Sequence, residues 1–85
     1  MKFVIMAHEK GKQALKQIPV KDNFSPHFEV DARSHEAKIV VTNKQTSHSA
    51  ERKIAMNILM LAPQPTVTHS LSVAYDQCVK ELSWK

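Results

Sequence analysis

His27, Glu29 and Asp31 alternate along "HFEVDA", and His35 and Glu36 follow just past a turn. Residues two apart share one face of a strand, so these nitrogen and oxygen donors could meet a zinc or manganese ion. Any solvated sheet face shows the same alternation, however. Neither a His-x-x-x-His pair nor a cysteine cluster accompanies it. The stretch therefore reads as a polar strand face, with no metal and no cofactor.

Nucleophilic chemistry has little to draw on. Cys78 is the single cysteine, and it falls on the apolar side of a helical pattern with no histidine at helical spacing. Such a residue is a small buried hydrophobe more often than a reactive thiolate. Ser47–His48–Ser49 and His69–Ser70 stand where helices are expected to begin, and serine there serves as a cap. No Gly-x-Ser-x-Gly elbow occurs. Gly11 is the only glycine, which excludes glycine-rich phosphate loops. A cleft for paired carboxylates is also difficult to build from 85 residues. The expectation is a non-enzymatic binding module.

Charge is the strongest functional signal. Up to Lys21 the chain has five lysines against one acid, Glu9, a balance of +4; beyond Lys21 seven basic residues offset seven acidic ones. A localised positive field attracts nucleic acid or an acidic protein surface. Lys10, Lys12, Lys16 and Lys21 are the expected phosphate contacts, with Arg52 and Lys53 adding charge in the first turns of a central helix. Aromatic content is only 6%. That argues against a single-strand stacking platform and for backbone contacts to a duplex.

The elements that must position these residues follow from periodicity. "KFVIMA" is apolar on both faces and predicts a covered strand. "EKGKQALKQI" predicts a short helix from about Glu9, stopped by Pro19, with a hairpin turn at "HEKGK" as the competing reading. "HFEVDA" puts Phe28, Val30 and Ala32 on one side; "AKIVVTN" returns with Ala37, Ile39 and Val41 inward, giving an antiparallel hairpin. "SAERKIAMNILMLAPQP" has eight apolar residues in the nine from Ile54 to Ala62. With Ser47 or Ser49 as N-cap and Ala50, Ile54, Ile58 and Leu61 at helical spacing, it predicts a wide apolar helix between the sheet and a last helix. That last helix is expected from about Ser70, with Leu71, Ala74, Tyr75, Cys78 and Leu82 inward. The order is β-α-β-β-α-α: one α+β domain over residues 1–85, with a small three-stranded, largely antiparallel sheet and helices packed mainly on one face.

From "HFEVDA" through "KIVVTN" to "SAERKIAMNILML", the hairpin-then-helix spacing resembles the second half of the double-stranded-RNA-binding domain. In this sequence "SHSAER" stands where that family has a lysine-rich helix start. The family's glycine-rich last strand is missing, and its amino-terminal helix-then-strand order reads as inverted. The resemblance implies a shared layout at most.

The alternative class is a protein-interaction or regulatory module. Met56 and Met60 widen the central helix's apolar surface, which a partner or a second copy in a homodimer could cover. Trp84 is expected to fold back onto the core rather than serve as an anchor. The longest apolar run near the amino terminus, Phe3 to Ala7, is too short for a signal peptide or a membrane span. A single unpaired cysteine suits a reducing, cytoplasmic setting.

Overall fold

The structure, a computed structural model, describes residues 2–31 and 33–84, with the backbone alone described for residues 2–4. Its elements run α1 (Lys2–Leu15), β1 (Phe24–Asp31), β2 (Glu36–Asn43), β3 (Ser49–Ile54), α2 (Met56–Leu61) and α3 (Gln64–Ser83). The three strands form an antiparallel meander in the order β1-β2-β3. All three helices lie toward one face of it, so the α+β class and the one-sided helix layer are as expected. The order is α-β-β-β-α-α, which corrects the sequence reading at three elements.

"KFVIMA" belongs to α1 and is not a strand. Ala7, Gly11 and Ala14 are buried at helical spacing, with Ile18 continuing the line past the helix end. This seam of small residues lets α1 approach the sheet closely. The local strand preference of Val4 and Ile5 yields to a helix that can bury that seam, because tertiary packing overrides propensity.

"SAERKI" is strand β3, not the start of a helix. Ala50 and Ile54 are both buried, and a spacing of four suits either structure: residues four apart share a face in a helix and in a strand alike. Pairing with β2 settles it, with Ala37 opposite Ile54, Ile39 opposite Arg52 and Val41 opposite Ala50. Ser47 is therefore a turn residue with φ 65°, and Ser49 is a strand residue. Asn43 closes this turn: its amide donates to the His48 carbonyl at 2.8 Å, and its side-chain oxygen accepts from the Gln45 amide at 2.9 Å.

The expected central helix shrinks to the short α2, in which only Leu59 is buried. Met56, Ile58 and Met60 are partly buried against the core, while Leu61 is 83% exposed. The helix packed on β2 and β3 is α3, beside α1 on β1; it begins at Gln64, six residues before the expected Ser70. Pro65 lies in its first turn, where a missing amide hydrogen costs no ladder bond. The expected inner face of this helix is confirmed: Leu71, Ala74, Tyr75, Cys78 and Leu82 are buried, joined by Val67 and Val79. Trp84 is 84% exposed and does not plug the core.

The hairpin of β1 and β2 has the expected inward set, Phe28 opposite Ile39 and Val30 opposite Ala37; Ala32 lies outside the described residues. One departure noted for the double-stranded-RNA-binding resemblance is removed, since a helix precedes the first strand. The other two remain. A third strand is present, but "SAERKI" contains no glycine. The first turns of α2 and α3, in "MNILML" and "QPTVTH", contain neither lysine nor arginine.

Gly11 packs directly beneath Phe28. A Cβ there would overlap the Phe28 ring, including Cδ2 at 2.6 Å. Gly11→Ala is expected to destabilise the domain by about 1–3 kcal/mol through overpacking, despite alanine's helix propensity of roughly 1 kcal/mol over glycine. A urea melt showing a gain in stability would refute the close packing. In α2, Leu59→Ala should cost about 2–5 kcal/mol and Ile58→Ala clearly less, because only Leu59 is fully enclosed. Equal losses in the same assay would contradict this burial.

Candidate nucleic-acid interface

The six basic residues singled out from the sequence separate into two groups. Arg52 and Lys53 are strand neighbours, so they point to opposite faces of the sheet. Arg52 lies on the helix side and reaches Glu81 of α3 at 3.0 Å. Lys53 lies on the open side and pairs with Glu36 at 3.4 Å. The Glu81 carboxylate hydrogen bond holds the Arg52 guanidinium's pKa above its ordinary value. Both side chains are engaged within the fold, and they do not converge on one surface. Lys10 is also engaged: its Nζ donates to the Met60 carbonyl at 3.4 Å, and its own carbonyl accepts from Gln64 Nε2 at 3.1 Å. That pair of bonds ties α1 to α2 and α3.

Lys12, Lys16 and Lys21 form the other group. All three are exposed, and among the described residues none makes an ion pair. Lys12 sits in the last turn of α1 and Lys16 one turn beyond it; the Lys16 amide donates to the Lys12 carbonyl at 3.4 Å. Beside Lys16 opens a groove of about 600 Å³ between the end of α1 and the start of α3, also lined by Gln13, Gln17, Gln64 and Thr68. Pro65 completes the lining, which has no carboxylate, and Lys16 is the only charged residue among the described residues there.

Lys21 is fixed by its backbone. Its amide donates to the Tyr75 hydroxyl at 2.9 Å, and its carbonyl accepts from the Phe24 amide at 3.2 Å. Lys44 joins this end of the sheet, with its amide on the Asn23 carbonyl at 2.8 Å. The sequence reading missed Lys44 because it lies in the charge-balanced part of the chain. Only the register of β1 against β2 brings it beside the Lys21 loop.

The open face of the sheet is different in kind. His27, Glu29, Asp31, Lys38, Glu51 and Lys53 line it, as the alternation predicted for β1. Lys38 lies between Glu51 at 2.9 Å and Glu29 at 3.8 Å, and His27 approaches Glu29 at 3.5 Å. The hydrogen bond with Glu51 raises the Lys38 pKa, and the Arg33 amide lowers that of Asp31. Exposed pairs of this kind add little to stability. They also place an ammonium where a metal ion would have to bind. Among the described residues, no group of three or more His, Cys, Asp or Glu side chains is arranged to hold a metal.

Cys78 is fully buried on α3, and burial pushes its thiol pKa up, which disfavours the nucleophilic thiolate. No described helix is long and apolar enough to cross a membrane. Fold and surface together define a small α+β module with one lysine-bearing end and one ion-paired sheet face. No protein family, curated protein or solved structure matches the chain.

Tyr75, the only tyrosine, holds the lysine-bearing end together. Burial raises its phenol pKa, opposed by the bond from the Lys21 amide. The folded state thus disfavours the phenolate. The stabilisation is complete below the unfolded value of about 10 and is lost as pH rises through the higher folded value. Phenolate absorbance should therefore appear above pH 10 in the folded protein, and at lower pH in urea. Identical titrations in the two states would show that the hydroxyl is not held.

Proposed function

We propose that this chain is a small non-enzymatic binding module that contacts the phosphate backbone of duplex nucleic acid. The contacts come from Lys12, Lys16 and Lys21, with Lys44 beside them. The observation that carries the reading is that these exposed lysines are unpaired among the described residues, whereas Lys38, Lys53 and Arg52 are taken up by carboxylates. An ammonium free of a carboxylate can exchange its counterions for a phosphate, and such exchange drives sequence-independent binding. The groove beside Lys16 adds the side-chain amides of Gln13 and Gln17, neutral donors suited to phosphate and sugar oxygens. Arg52, Lys53 and Lys10 are left out of this interface.

A second reading is a regulatory or inhibitory module that binds a larger protein. It draws support from the exposure of Leu61 and Trp84, side chains of the type that anchor protein contacts.

Changing Lys12, Lys16 and Lys21 together to Ala should weaken duplex binding regardless of sequence and lower the salt slope by about one per lost phosphate contact. Arg52→Ala and Lys53→Ala should leave the slope unchanged. Gel shifts across a salt series test this. No shift at low salt with either duplex or single-stranded probes would end the nucleic-acid reading and favour the protein partner.

A further inference from the structure

The two edges of the sheet are treated differently. Along each antiparallel strand, residues alternate between pointing their backbone groups toward one neighbour and toward the other. The Asn43–His48 bond fixes this alternation for β3, because those residues stand directly opposite each other. Ala50, Arg52 and Ile54 thus bond to β2, while Ser49, Glu51 and Lys53 present their amides and carbonyls to the free edge. The Arg52 guanidinium donates to the Glu51 carbonyl at 2.8 Å, as an outward carbonyl allows. On β1, the Lys44–Asn23 bond assigns Phe24 and Pro26 to the outer edge by the same logic.

The β1 edge is closed near its start. The Phe24 amide donates to the Lys21 carbonyl at 3.2 Å, and its carbonyl accepts from the Tyr75 hydroxyl at 2.8 Å. Pro26 has no amide hydrogen to offer. Among the described residues, the β3 edge has only the Arg52 guanidinium on the Glu51 carbonyl. Beside it runs a groove of about 320 Å³ between β3 and α3, with Ile54, Ile58, Val73 and Ala74 as its apolar wall and polar residues, Arg52 and His69 among them, on the rest of its lining. Val73 is 42% exposed there. An open strand edge with an apolar groove alongside is a template for strand addition.

We infer that a second copy of this chain occupies the edge, with β3 pairing antiparallel to β3 of its partner about a two-fold axis at Arg52. Charge and parity select both the occupant and the register. Centred on Arg52, the pairing puts Glu51 opposite Lys53 of the partner subunit, twice, so that the Lys38–Glu51 and Lys53–Glu36 pairs of each chain continue across the junction, and it sets Ala50 against the partner's Ile54. Glu51 and Lys53 have outward backbone groups, so each such pair exchanges two backbone hydrogen bonds. The Glu51 carbonyl can accept both the new amide and its own Arg52, since it has two lone pairs. The two Arg52 side chains meet at the axis, where each is already neutralised by its own Glu81. The dimer would be one six-stranded sheet with the exposed Val73 of each α3 turned toward the junction. This inference is independent of the nucleic-acid reading, since the lysine-bearing ends lie by β1, away from the junction.

Sedimentation equilibrium of the whole chain over a range of concentrations tests it. The expected result is a concentration-dependent dimer of the 9.6 kDa chain. Lys53→Pro removes an outward amide without touching the β2 ladder, and should leave a folded monomer. Glu51→Lys and Lys53→Glu each oppose like charges across the axis, and each should be monomeric at low salt. Mixed one to one, these two chains restore both opposite-charge pairs and should form a heterodimer. A wild-type chain that stays at 9.6 kDa throughout leaves the edge to a strand of another protein and overturns the inference. A dimer that survives both charge variants, or a mixture that stays monomeric, places any contact elsewhere and overturns it equally.

Discussion

The Tyr75 hydroxyl is the interaction on which the lysine-bearing end depends. It accepts from the Lys21 amide and donates to the Phe24 carbonyl, while its ring is buried among the core residues of α3. One side chain thus joins the last helix, the connection after α1 and the outer edge of the first strand. Two backbone groups that water would otherwise have to satisfy are paired, and the loop bearing Lys21 is held against the sheet. Removing the hydroxyl alone would leave both groups without that partner at a part-buried site, which is costlier than the mean value of a hydrogen bond suggests.

The same tie explains why the sheet is asymmetric. β1 begins with its polar edge groups consumed by Tyr75 and Lys21, and continues with a proline. β3 ends a meander whose edge is protected only by the Arg52 guanidinium, a group that can share its carbonyl. Helix α3 lies along β3, yet the residues between them, Ile54, Ile58, Val73 and Ala74, line a groove and not a sealed contact. A chain of this length without a disulfide has a small core to rely on. Burial added at an edge would matter more to it than to a larger domain.

The parts of the fold legible in the sequence were those in which one periodicity had no competitor. The β1–β2 hairpin alternates strictly, and the inner face of α3 repeats at helical spacing over several turns, so both were readable. β3 was not, because Ala50 and Ile54 satisfy strand and helix spacing together, and the apolar run after Ile54 drew the short strand into a longer helix. α1 was misread at its start because Phe3 to Ala7 lacks the polar positions that reveal a helix; the Ala7–Gly11–Ala14 seam shows its purpose only once Phe28 is known to lie over Gly11. At the candidate site, the lysine excess near the amino terminus was visible. The loss of Lys10, Arg52 and Lys53 to internal partners was not, since those partners, Met60, Glu81 and Glu36, are distant in sequence or placed by strand register.

Charge partition links these observations. Sequence counts give a basic segment and a balanced remainder, but folding does more than preserve that division. It gathers Glu29, Glu36 and Glu51 onto the open sheet face, where Lys38 and Lys53 occupy them, and it sends Glu81 to Arg52 on the other side. Lys44 is carried by strand pairing to the end where Lys21 already lies. Lys12, Lys16, Lys21 and Lys44 are thereby left outside the ion pairs of the described residues, while Glu29, Glu36, Glu51 and Glu81 are engaged by Lys38, Lys53 and Arg52. Long-range attraction depends on charges that remain unpaired after folding, not on composition. For this domain four of those charges, Lys12, Lys16, Lys21 and Lys44, stand toward the end of the sheet secured by Tyr75, so anchoring and any electrostatic recognition there share one structural support.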